Sequence, residues 1–422
     1  MLFNIFISIL CIDIWLLMNS KILFYLPTTF LQALKLISTA KSTAKSSTNS
    51  TSRIVSDAYS AIQSHSVFEM PKESSLKRTL QRARHVAESC PPEPASLHQL
   101  VLREEDKVLS NQERWLLFDS GPVSDRLLIF STQENLRLLR QAQMVFSDGT
   151  FKCAPSRLFP QLYTIHAKCY GSVVPLVYCL LPNKREATYR TLINALLDNV
   201  AIAPIEWHTD FERAAINVIN EKFNGIAKGC FFHFTQCLYR KVVELGLKQP
   251  YEADDGNFAH SIRQISALAF VPEDDVPGAY LLLRQSDQFD QRTVPLFGYF
   301  EDTWVGVPGS NRQPLFPISL WNVYRQTLAG EHRTNNALEG WHRSLQSKFN
   351  CANPSVFKCI KSLKREQGLI SARVARYESG ESPPPPRMDI RKREERIKTI
   401  VERYPLMEKL DYLSAIARNY KF

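Results

Sequence analysis

From about residue 113 onward, short β-rich apolar runs are cut by turn residues, and this pattern constrains the fold more than any other feature of the chain. The runs at 126–130 and 143–148 are typical of strands. Two more follow at 159–167 and 173–181, and the loop between them is short enough to join antiparallel neighbours. The chain is therefore expected to build a sheet early in its folded part.

Helices and strands alternate in the stretch that follows. Apolar residues at helical spacing predict a helix over about 186–199, after which come a strand ending at Asp210 and a second helix. A further strand at 227–233 leads into an amphipathic helix over 234–247. This is the order of the RNase H fold, an α/β fold with a mixed sheet flanked by helices. In such a sheet the carboxyl ends of adjacent central strands lie side by side.

The chain is expected to comprise several segments that differ in composition and periodicity. They are an apolar N-terminal segment (1–38), a flexible Ser/Thr-rich linker (39–70), a basic region (71–112), the first part of the RNase H-like core (113–250), a mainly helical insertion before the last acidic site residue (251–330), the final core helices (331–378), and a proline run with a basic C-terminal helix (379–422).

The apolar N-terminal segment does not match a simple targeting signal. A secretory signal peptide has a basic residue before its apolar stretch, and no basic residue precedes the first apolar run of this chain. Neither of its apolar runs reaches the roughly 20 residues of a spanning helix without crossing polar residues or a proline. Three explanations stay open: an atypical or artefactual N-terminal exon, a signal-anchor, or a buried helix of the globular part.

The formal net charge of +10 and the pI of about 9.1 predict attraction to polyanions, either nucleic acid or an anionic membrane. An ordinary solvated basic surface would explain the same charge, and it would also explain the basic, helix-compatible run at 72–84. Nine cysteines, an odd number spread through apolar stretches, favour a reducing intracellular compartment. The sequence has no Walker loop, Gly-rich dinucleotide turn or G-x-S-x-G elbow, which disfavours those enzyme classes.

Three acidic residues occupy positions that suit a metal-dependent nuclease. Asp148 is predicted to close a strand before a turn at Gly149, Asp210 to close a second strand, and Glu339 to lie in a helix beginning near residue 334. Cleavage of a phosphodiester by two divalent ions needs carboxylate ligands of this kind, and Mg²⁺ prefers oxygen. Taken alone, an Asp before a Gly is more often a turn residue than a ligand.

Four segments in order give these acids a context: FSDGTFKCAP, TDFERAAIN, GCFFHFTQCLYRK and RTNNALEGWH. They resemble the transposase domain of Mutator-like elements (MULE), in which the first Asp lies in a DGTF-like motif and the second in a DFE-like motif. A Cys-x-x-His follows, and the Glu lies in an NNxxEgwH-like motif. The resemblance extends from about residue 70 to the C-terminus.

The resemblance implies a DDE-type DNA transposase whose catalytic residues are Asp148, Asp210 and Glu339. These residues would hold two Mg²⁺ or Mn²⁺ ions. The implied partners are double-stranded DNA, as transposon ends and target, and a second copy of the chain, with no small-molecule substrate. The implied location is the nucleus, and a membrane anchor is the alternative if the apolar N-terminus is genuine.

Residues around the acids have two readings each. Glu212 could be a spare metal ligand, although the first turn of a helix favours Glu in any case. Cys230 and His233 form half of a zinc site, and spacing alone favours simple packing. Within the resemblance they are a family signature, and our hypothesis is that His332 or His342 completes a zinc or hydrogen-bonding site with them.

Basic residues on or beside the helix that carries Glu339 suggest a track for DNA phosphates. They are Arg333, Arg343 and Lys348. Trp341 could either pack against the core or touch DNA.

The chain departs from the family at its N-terminal side, where many members carry a zinc-binding DNA-recognition module, often of the FLYWCH type. Upstream of residue 110 no Cys pair or His pair has zinc-finger spacing. Specific recognition of transposon ends would then depend on other residues, such as the basic run at 72–84. A domesticated, catalytically silent DNA-binding or regulatory protein is therefore the alternative to an active transposase.

Overall fold

The computed structural model describes residues 27–421, apart from 48, 89, 254–256, 308–309, 311, 332, 334–335 and 350–352. The chain falls into two compact units, Met1–Pro92 and Glu93–Phe422. The N-terminal part of the predicted apolar segment, residues 1–26, lies outside the described residues. Within the part of the chain that is described, no helix combines the length and the apolar character needed to cross a membrane.

The first unit is helical. Its helices are α1 (Thr28–Ser46), α2 (Thr51–Ser60) and α3 (Glu73–Glu88), with a 3₁₀ turn at Ser64–Glu69. The prediction of a flexible linker over 39–70 is therefore wrong for most of its length, because most of these residues are helical. Buried alanines of α1, such as Ala40 and Ala44, pack against α3, and Ser50 caps the start of α2 by accepting the Arg53 N–H at 3.2 Å. This stretch is rich in polar residues and still forms helices, because small side chains such as alanine let the helices pack closely together.

Arg84, at the end of the basic run, is 8% exposed in this unit. Its guanidinium donates to the carbonyl oxygens of Ala44, Ser47 and Asn49 at 2.9, 3.2 and 2.7 Å. Arg84 thus satisfies the C-terminal end of α1, whereas the basic residues earlier in the run are exposed.

The second unit is built on a seven-stranded mixed sheet, which confirms the α/β class. The strands are β1 (Leu116–Asp119), β2 (Leu128–Phe130), β3 (Met144–Thr150), β4 (Gln161–Cys169), β5 (Ser172–Leu181), β6 (Glu206–Thr209) and β7 (Ala227–Gly229). Their spatial order is β1-β2-β5-β4-β3-β6-β7. Pairing is antiparallel from β1 across to β3, and it is parallel between β3 and β6 and between β6 and β7.

The predicted antiparallel neighbours are confirmed as β4 and β5, joined by a two-residue turn. Tyr170 and Gly171 both have positive φ angles, 51° and 77°, as a turn that matches the twist of a hairpin requires. The sequence reading missed β1 and the helix between β2 and β3. It also extended the last strand too far, because β7 ends at Gly229 and Cys230 is already the N-cap of the next helix.

Helices complete the second unit. They are α4 (Glu104–Lys107), α5 (Gln133–Gln141), α6 (Glu186–Leu197), α7 (Arg213–Lys222), α8 (Phe231–Glu244), α9 (Lys248–Tyr251), α10 (Asn257–Ala267), α11 (Val276–Arg284), α12 (Val294–Phe300), α13 (Ile318–Trp321), α14 (Tyr324–Ala329), α15 (Asn336–Phe349), α16 (Val356–Glu378), α17 (Met388–Glu402) and α18 (Lys409–Ala417). Shorter turns are 3₁₀ at Leu97–Gln99, Leu268–Phe270, Glu273–Asp275, Gln291–Thr293 and Tyr404–Leu406, and π at Glu301–Val305. The described residues between α9 and α15 form helices and loops without a strand.

The two faces of the sheet are covered differently. On one face the Tyr163 hydroxyl and the Trp207 indole N–H both donate to Ser147, at 2.8 Å each, and α5, α6 and α7 contribute buried apolar side chains to the same core. Side chains alternate along a strand, so Thr164, next to Tyr163, points to the opposite face. There it meets His342 of α15, with 3.0 Å between the Thr164 hydroxyl and Nε2.

Candidate active site

Asp148 and Asp210 lie at the same level of two neighbouring parallel strands. The last paired residues of β3 and β6 are Phe146 and His208, whose rings stack with centroids 4.9 Å apart. Asp148 and Asp210 are each two residues further along, so they share the face of that stacked pair. Because neighbouring strands run about 4.8 Å apart, the two carboxylates emerge side by side where the parallel pairing ends.

The predicted turn at Asp148-Gly149-Thr150 is wrong. β3 continues to Thr150 because its other edge stays paired with β4, with Asp148 opposite Thr164 and Thr150 opposite Leu162. Asp148 is thus held by an antiparallel neighbour on one side while the parallel neighbour has already ended on the other. Asp148 therefore lies inside a strand, but its carboxylate is at the carboxyl end of the parallel strand pair, where β6 no longer pairs with β3.

Gly149 is required by close packing in this strand. A Cβ atom there would collide with the side-chain amide of Gln161, which is 1% exposed. The Gly149 N–H donates to the Asp148 carboxylate at 2.7 Å. The glycine therefore lets the two strands pair tightly beneath the acid and supplies it with a backbone donor.

Asp148 is 6% exposed, and burial raises its pKa well above the ordinary range. The negative charges of Asp210 and Glu339 raise the pKa of Asp148 further, while Lys184 acts in the opposite direction. The pKa of Asp210 is also raised by burial. Asp148 is thereby within electrostatic range of both other acids predicted from the sequence.

Glu339 lies in the first turn of α15, with 17% of its side chain exposed. Its Oε1 atom is buried without a hydrogen-bond partner and lies 3.9 Å from Nε2 of His233. Arg343, one turn further on, approaches Oε2 to 3.6 Å. Burial raises the pKa of Glu339 to about 7, despite the opposing charge of Arg343.

His342, also on α15, connects this helix to Asp148. Its Nδ1 lies 3.6 Å from the Asp148 carboxylate, and its Nε2 is 3.0 Å from the Thr164 hydroxyl. The same hydroxyl is 3.1 Å from Nε2 of His166. Burial lowers the pKa of His342 to about 4, so the ring is neutral at neutral pH. His342 therefore supports the acid site with a neutral polar group.

The Cys230 and His233 pair lies beside the acids. Cys230 is fully buried at the start of α8, and His233, one turn later, faces Glu339. Burial lowers the pKa of His233 to about 4. Over the described part of the chain, no group of three or more His, Cys, Asp or Glu side chains is arranged as a metal cluster. His332, the other residue of the zinc hypothesis, lies outside the described residues.

Lys184, in the loop between β5 and α6, was missed by the sequence reading. Its Nζ donates to Glu212 at 2.6 Å and lies 4.6 Å from the ring centroid of Phe151. The other Glu212 oxygen accepts the Tyr189 hydroxyl at 2.6 Å. Both oxygens of Glu212 are thus engaged by protein groups, which does not favour its reading as a spare ligand. A single lysine in a loop carries no periodic signal by which the sequence could have identified it.

Two of the three residues predicted to contact DNA are paired with acidic side chains of the protein. Arg333 is 7% exposed, pairs with Glu394 of α17, and stacks on Phe270 at 5.1 Å. Lys348 pairs with Glu366, a buried residue of α16. Neither contact was visible in the sequence, because both partners lie on later helices. Arg343 alone of the three is strongly exposed, with 76% of its side chain accessible.

Trp341 packs against the core, which decides the alternative left open by the sequence. Its indole N–H donates to Glu366 at 3.0 Å, and its ring lies 5.3 Å from His166 and 5.7 Å from Tyr178. Together with Lys348 it satisfies the buried Glu366 carboxylate and fixes α15 against α16.

Part of the chain matches a known protein family. A family model described as the MULE transposase domain matches residues 144–237, from the start of β3 to the middle of α8. The match covers Asp148, Asp210, Cys230 and His233, and it ends before Glu339. No curated protein and no solved structure matches the chain. The chain therefore carries a region that matches the MULE transposase domain at residues 144–237, and the transposase family acts on DNA.

Proposed function

We propose that the protein is a MULE-type DNA transposase that cleaves DNA strands and transfers them, with Asp148, Asp210 and Glu339 as its catalytic acids. The observation that carries the proposal is that the buried Asp148 and the half-buried Asp210 and Glu339 all have raised pKa values, with the charges of Asp210 and Glu339 acting on Asp148, and that two of the three lie within the matched domain. Such clusters of perturbed acids are typical of functional sites.

The order of strands and helices supports an RNase H-like assignment of the second unit. Antiparallel strands β3 to β5 are followed by the alternation of α6, β6, α7, β7 and α8, with β6 and β7 added in parallel beside β3. Asp148 lies on the central strand β3, Asp210 directly follows the neighbouring strand β6, and the third acid comes from a helix on the same face.

The donor atoms of the three acids suit divalent cations, although no group of three His, Cys, Asp or Glu side chains among the described residues, these acids included, is already spaced as a metal site. Asp148, Asp210 and Glu339 offer hard oxygen donors, which Mg²⁺ and Mn²⁺ prefer. The unpaired Oε1 of Glu339 and the mutual repulsion that raises the pKa of Asp148 are what a site built for positive charge would show. Bound cations would offset that repulsion and supply Lewis acidity to a water or a 3′-hydroxyl at the phosphodiester.

The chain's own residues would prepare the site in defined ways. The paired strands hold Asp148 and Asp210 side by side, and the Gly149 N–H orients one Asp148 oxygen. His233 and His342, whose pKa values burial lowers to about 4, stay neutral and add no positive charge that would compete with a cation. Glu339, with a pKa of about 7, would release a proton when a cation binds.

Double-stranded DNA is the substrate of this proposal, and the protein would act on it in the nucleus as a homo-oligomer. Transposon ends come in pairs, and a second copy of the chain would bring two sites to the two ends. The net charge of +10 supports binding to the phosphate backbone.

A plasmid nicking assay with Mn²⁺ tests the proposal. We expect wild type to convert supercoiled plasmid to the nicked form and Asp148→Ala to lower the rate by at least about 100-fold, as for loss of a central catalytic group. Asp198→Ala, at an exposed Asp that forms the C-cap of α6, is the matched control and should nick at the wild-type rate. Equal nicking by wild type and Asp148→Ala would refute the assignment. Absence of nicking by any variant would favour the domesticated, catalytically silent protein.

A further inference from the structure

Phe151 is an exposed aromatic residue beside the acids. It follows Asp148 by three positions, just after the end of β3, and the residue is 50% exposed. A single exposed aromatic side chain is common on protein surfaces and is not by itself a sign of binding. Phe151 differs from other exposed aromatics, such as the 90% exposed Phe68, because it closely follows Asp148 along the chain and has a lysine over its ring.

Lys184 covers this ring with a positive charge. Its Nζ is 4.6 Å from the Phe151 centroid, and 44% of the lysine side chain is exposed. The charge also acts on Asp148 and Asp210, whose pKa values it lowers. The ammonium group is therefore in contact with the exposed ring and within electrostatic range of Asp148 and Asp210.

Hydrogen bonds to Glu212 and, through it, to the buried Tyr189 fix the position of Lys184. Glu212 accepts from Lys184 at 2.6 Å with one oxygen and from the Tyr189 hydroxyl at 2.6 Å with the other. Tyr189 is 2% exposed and belongs to the core of the sheet. A lysine held by a buried tyrosine through a carboxylate loses little further entropy when it binds a ligand. An ammonium has three donors, so Lys184 keeps donors for a ligand beyond Glu212.

We propose that Phe151 and Lys184 form a subsite for one unpaired nucleotide of a DNA strand, with the base stacked on the ring and its phosphate bound by the ammonium. The inference rests on the proposed function, since it identifies what part of the DNA this edge of the site receives. Bases stack on aromatic side chains without regard to sequence, and lysines bind the backbone phosphates. Duplex DNA keeps its bases stacked on one another, so the subsite selects a strand that is opened or frayed next to the acids.

The test uses the full chain, without divalent cations, and a short single-stranded oligonucleotide that contains 2-aminopurine, whose fluorescence falls when the base stacks. We expect wild type to quench the fluorescence and Phe151→Ala to lose the quenching and to bind at least about fivefold more weakly. Phe151→Tyr should retain both. Lys184→Ala should weaken binding and make it less sensitive to salt.

Matched controls are Phe68→Ala, a 90% exposed phenylalanine of the first unit, and Lys168→Ala, an exposed lysine near the far end of β4. Both should bind and quench as wild type does. Quenching by Phe151→Ala equal to that of wild type would overturn the inference, as would an equal loss of single-stranded and duplex binding. Since nothing is cleaved in this assay, its failure leaves the nicking result untouched. Conversely, normal nicking by Asp148→Ala would remove the proposed function without touching the stacking result.

Discussion

Asp148 and Asp210 are supported by paired strands, whereas Glu339 is supported by a helix that packs on the sheet. Backbone hydrogen bonds of β3 with β4 and β6 fix the level of the first two residues. Glu339 has no such pairing, and its position depends on side chains of α15, such as the buried Leu338 and Leu345 and the hydrogen bond from Trp341 to Glu366. The strand-borne half of the site should therefore tolerate loss of packing better than the helix-borne half.

Matched truncations in the two halves give the largest expected effect. Leu345 of α15 and Leu162 of β4 are both fully buried on the face that carries the acids. Leu345→Ala and Leu162→Ala should each lower the free energy of unfolding by about 2–5 kcal/mol, measured by denaturant titration. At a temperature where both variants are folded, nicking should fall much further in Leu345→Ala, because the backbone pairing of Leu162 with Thr150 survives truncation. Equal losses of nicking would show that the two halves do not differ.

The pH dependence of stability isolates the helix-borne acid. Burial raises the pKa of Glu339 to about 7 in the folded protein, above the value of about 4.3 for an unfolded Glu. The folded state thus binds this proton more tightly, and stability is lost as the pH rises from about 4.3 to about 7. Glu339→Gln cannot ionise, so its Tm without divalent cations should rise relative to wild type across this window, by about 2–4 °C.

The control for this measurement is Glu331→Gln, since Glu331 is exposed. Its Tm should follow that of wild type at each pH. The buried His233 and His342 have lowered pKa values and act with the opposite sign, but they are common to all three proteins and cancel in the differences. A Tm difference between Glu339→Gln and wild type that is constant with pH would mean that Glu339 is not buried as described.

The smallest effect concerns the outer surface of the helix-borne half. Arg343→Ala should weaken binding to duplex DNA by about two- to fivefold and reduce the salt slope by about one, as for one lost phosphate contact. Its Tm should not change. Lys348→Ala should lower the Tm and leave duplex binding unchanged, because the Lys348 ammonium is engaged by the buried Glu366. Fluorescence anisotropy at several salt concentrations would measure the binding, and identical profiles for the two variants would contradict the difference in exposure.

The strand-borne half of the site could be predicted from the sequence to a large extent. Short β-rich apolar runs cut by turn residues identified β3, β4 and β5, and the positions of Asp148 and Asp210 at neighbouring strands followed from their order. The continuation of β3 past Asp148 could not be predicted, because it depends on pairing with β4 after β6 has ended. The sequence analysis missed α5 because most of its residues are polar. Its three leucines are buried only through their contact with the core of the sheet.

The helix-borne half was predictable only as a helix that carries Glu339. The burial of Arg333 arises from Glu394 and Phe270, which lie far away in the sequence, so its basic charge suggested a DNA contact that the fold does not permit. Trp341 likewise packs because α16 supplies Glu366. Side-chain partners of this kind leave no periodic signal, whereas strand order does.

The central claim is that the strand-borne and helix-borne acids form one catalytic site, and a double-mutant nicking experiment with Mn²⁺ tests it most directly. Groups that act as a unit are not additive, so removing a second member costs little once the first is gone. We predict that Asp148→Ala and Glu339→Ala each lower the nicking rate by at least about 100-fold and that the double variant is no slower than the slower single variant. Losses that multiply in the double variant, or nicking by Glu339→Ala at the wild-type rate, would contradict the claim.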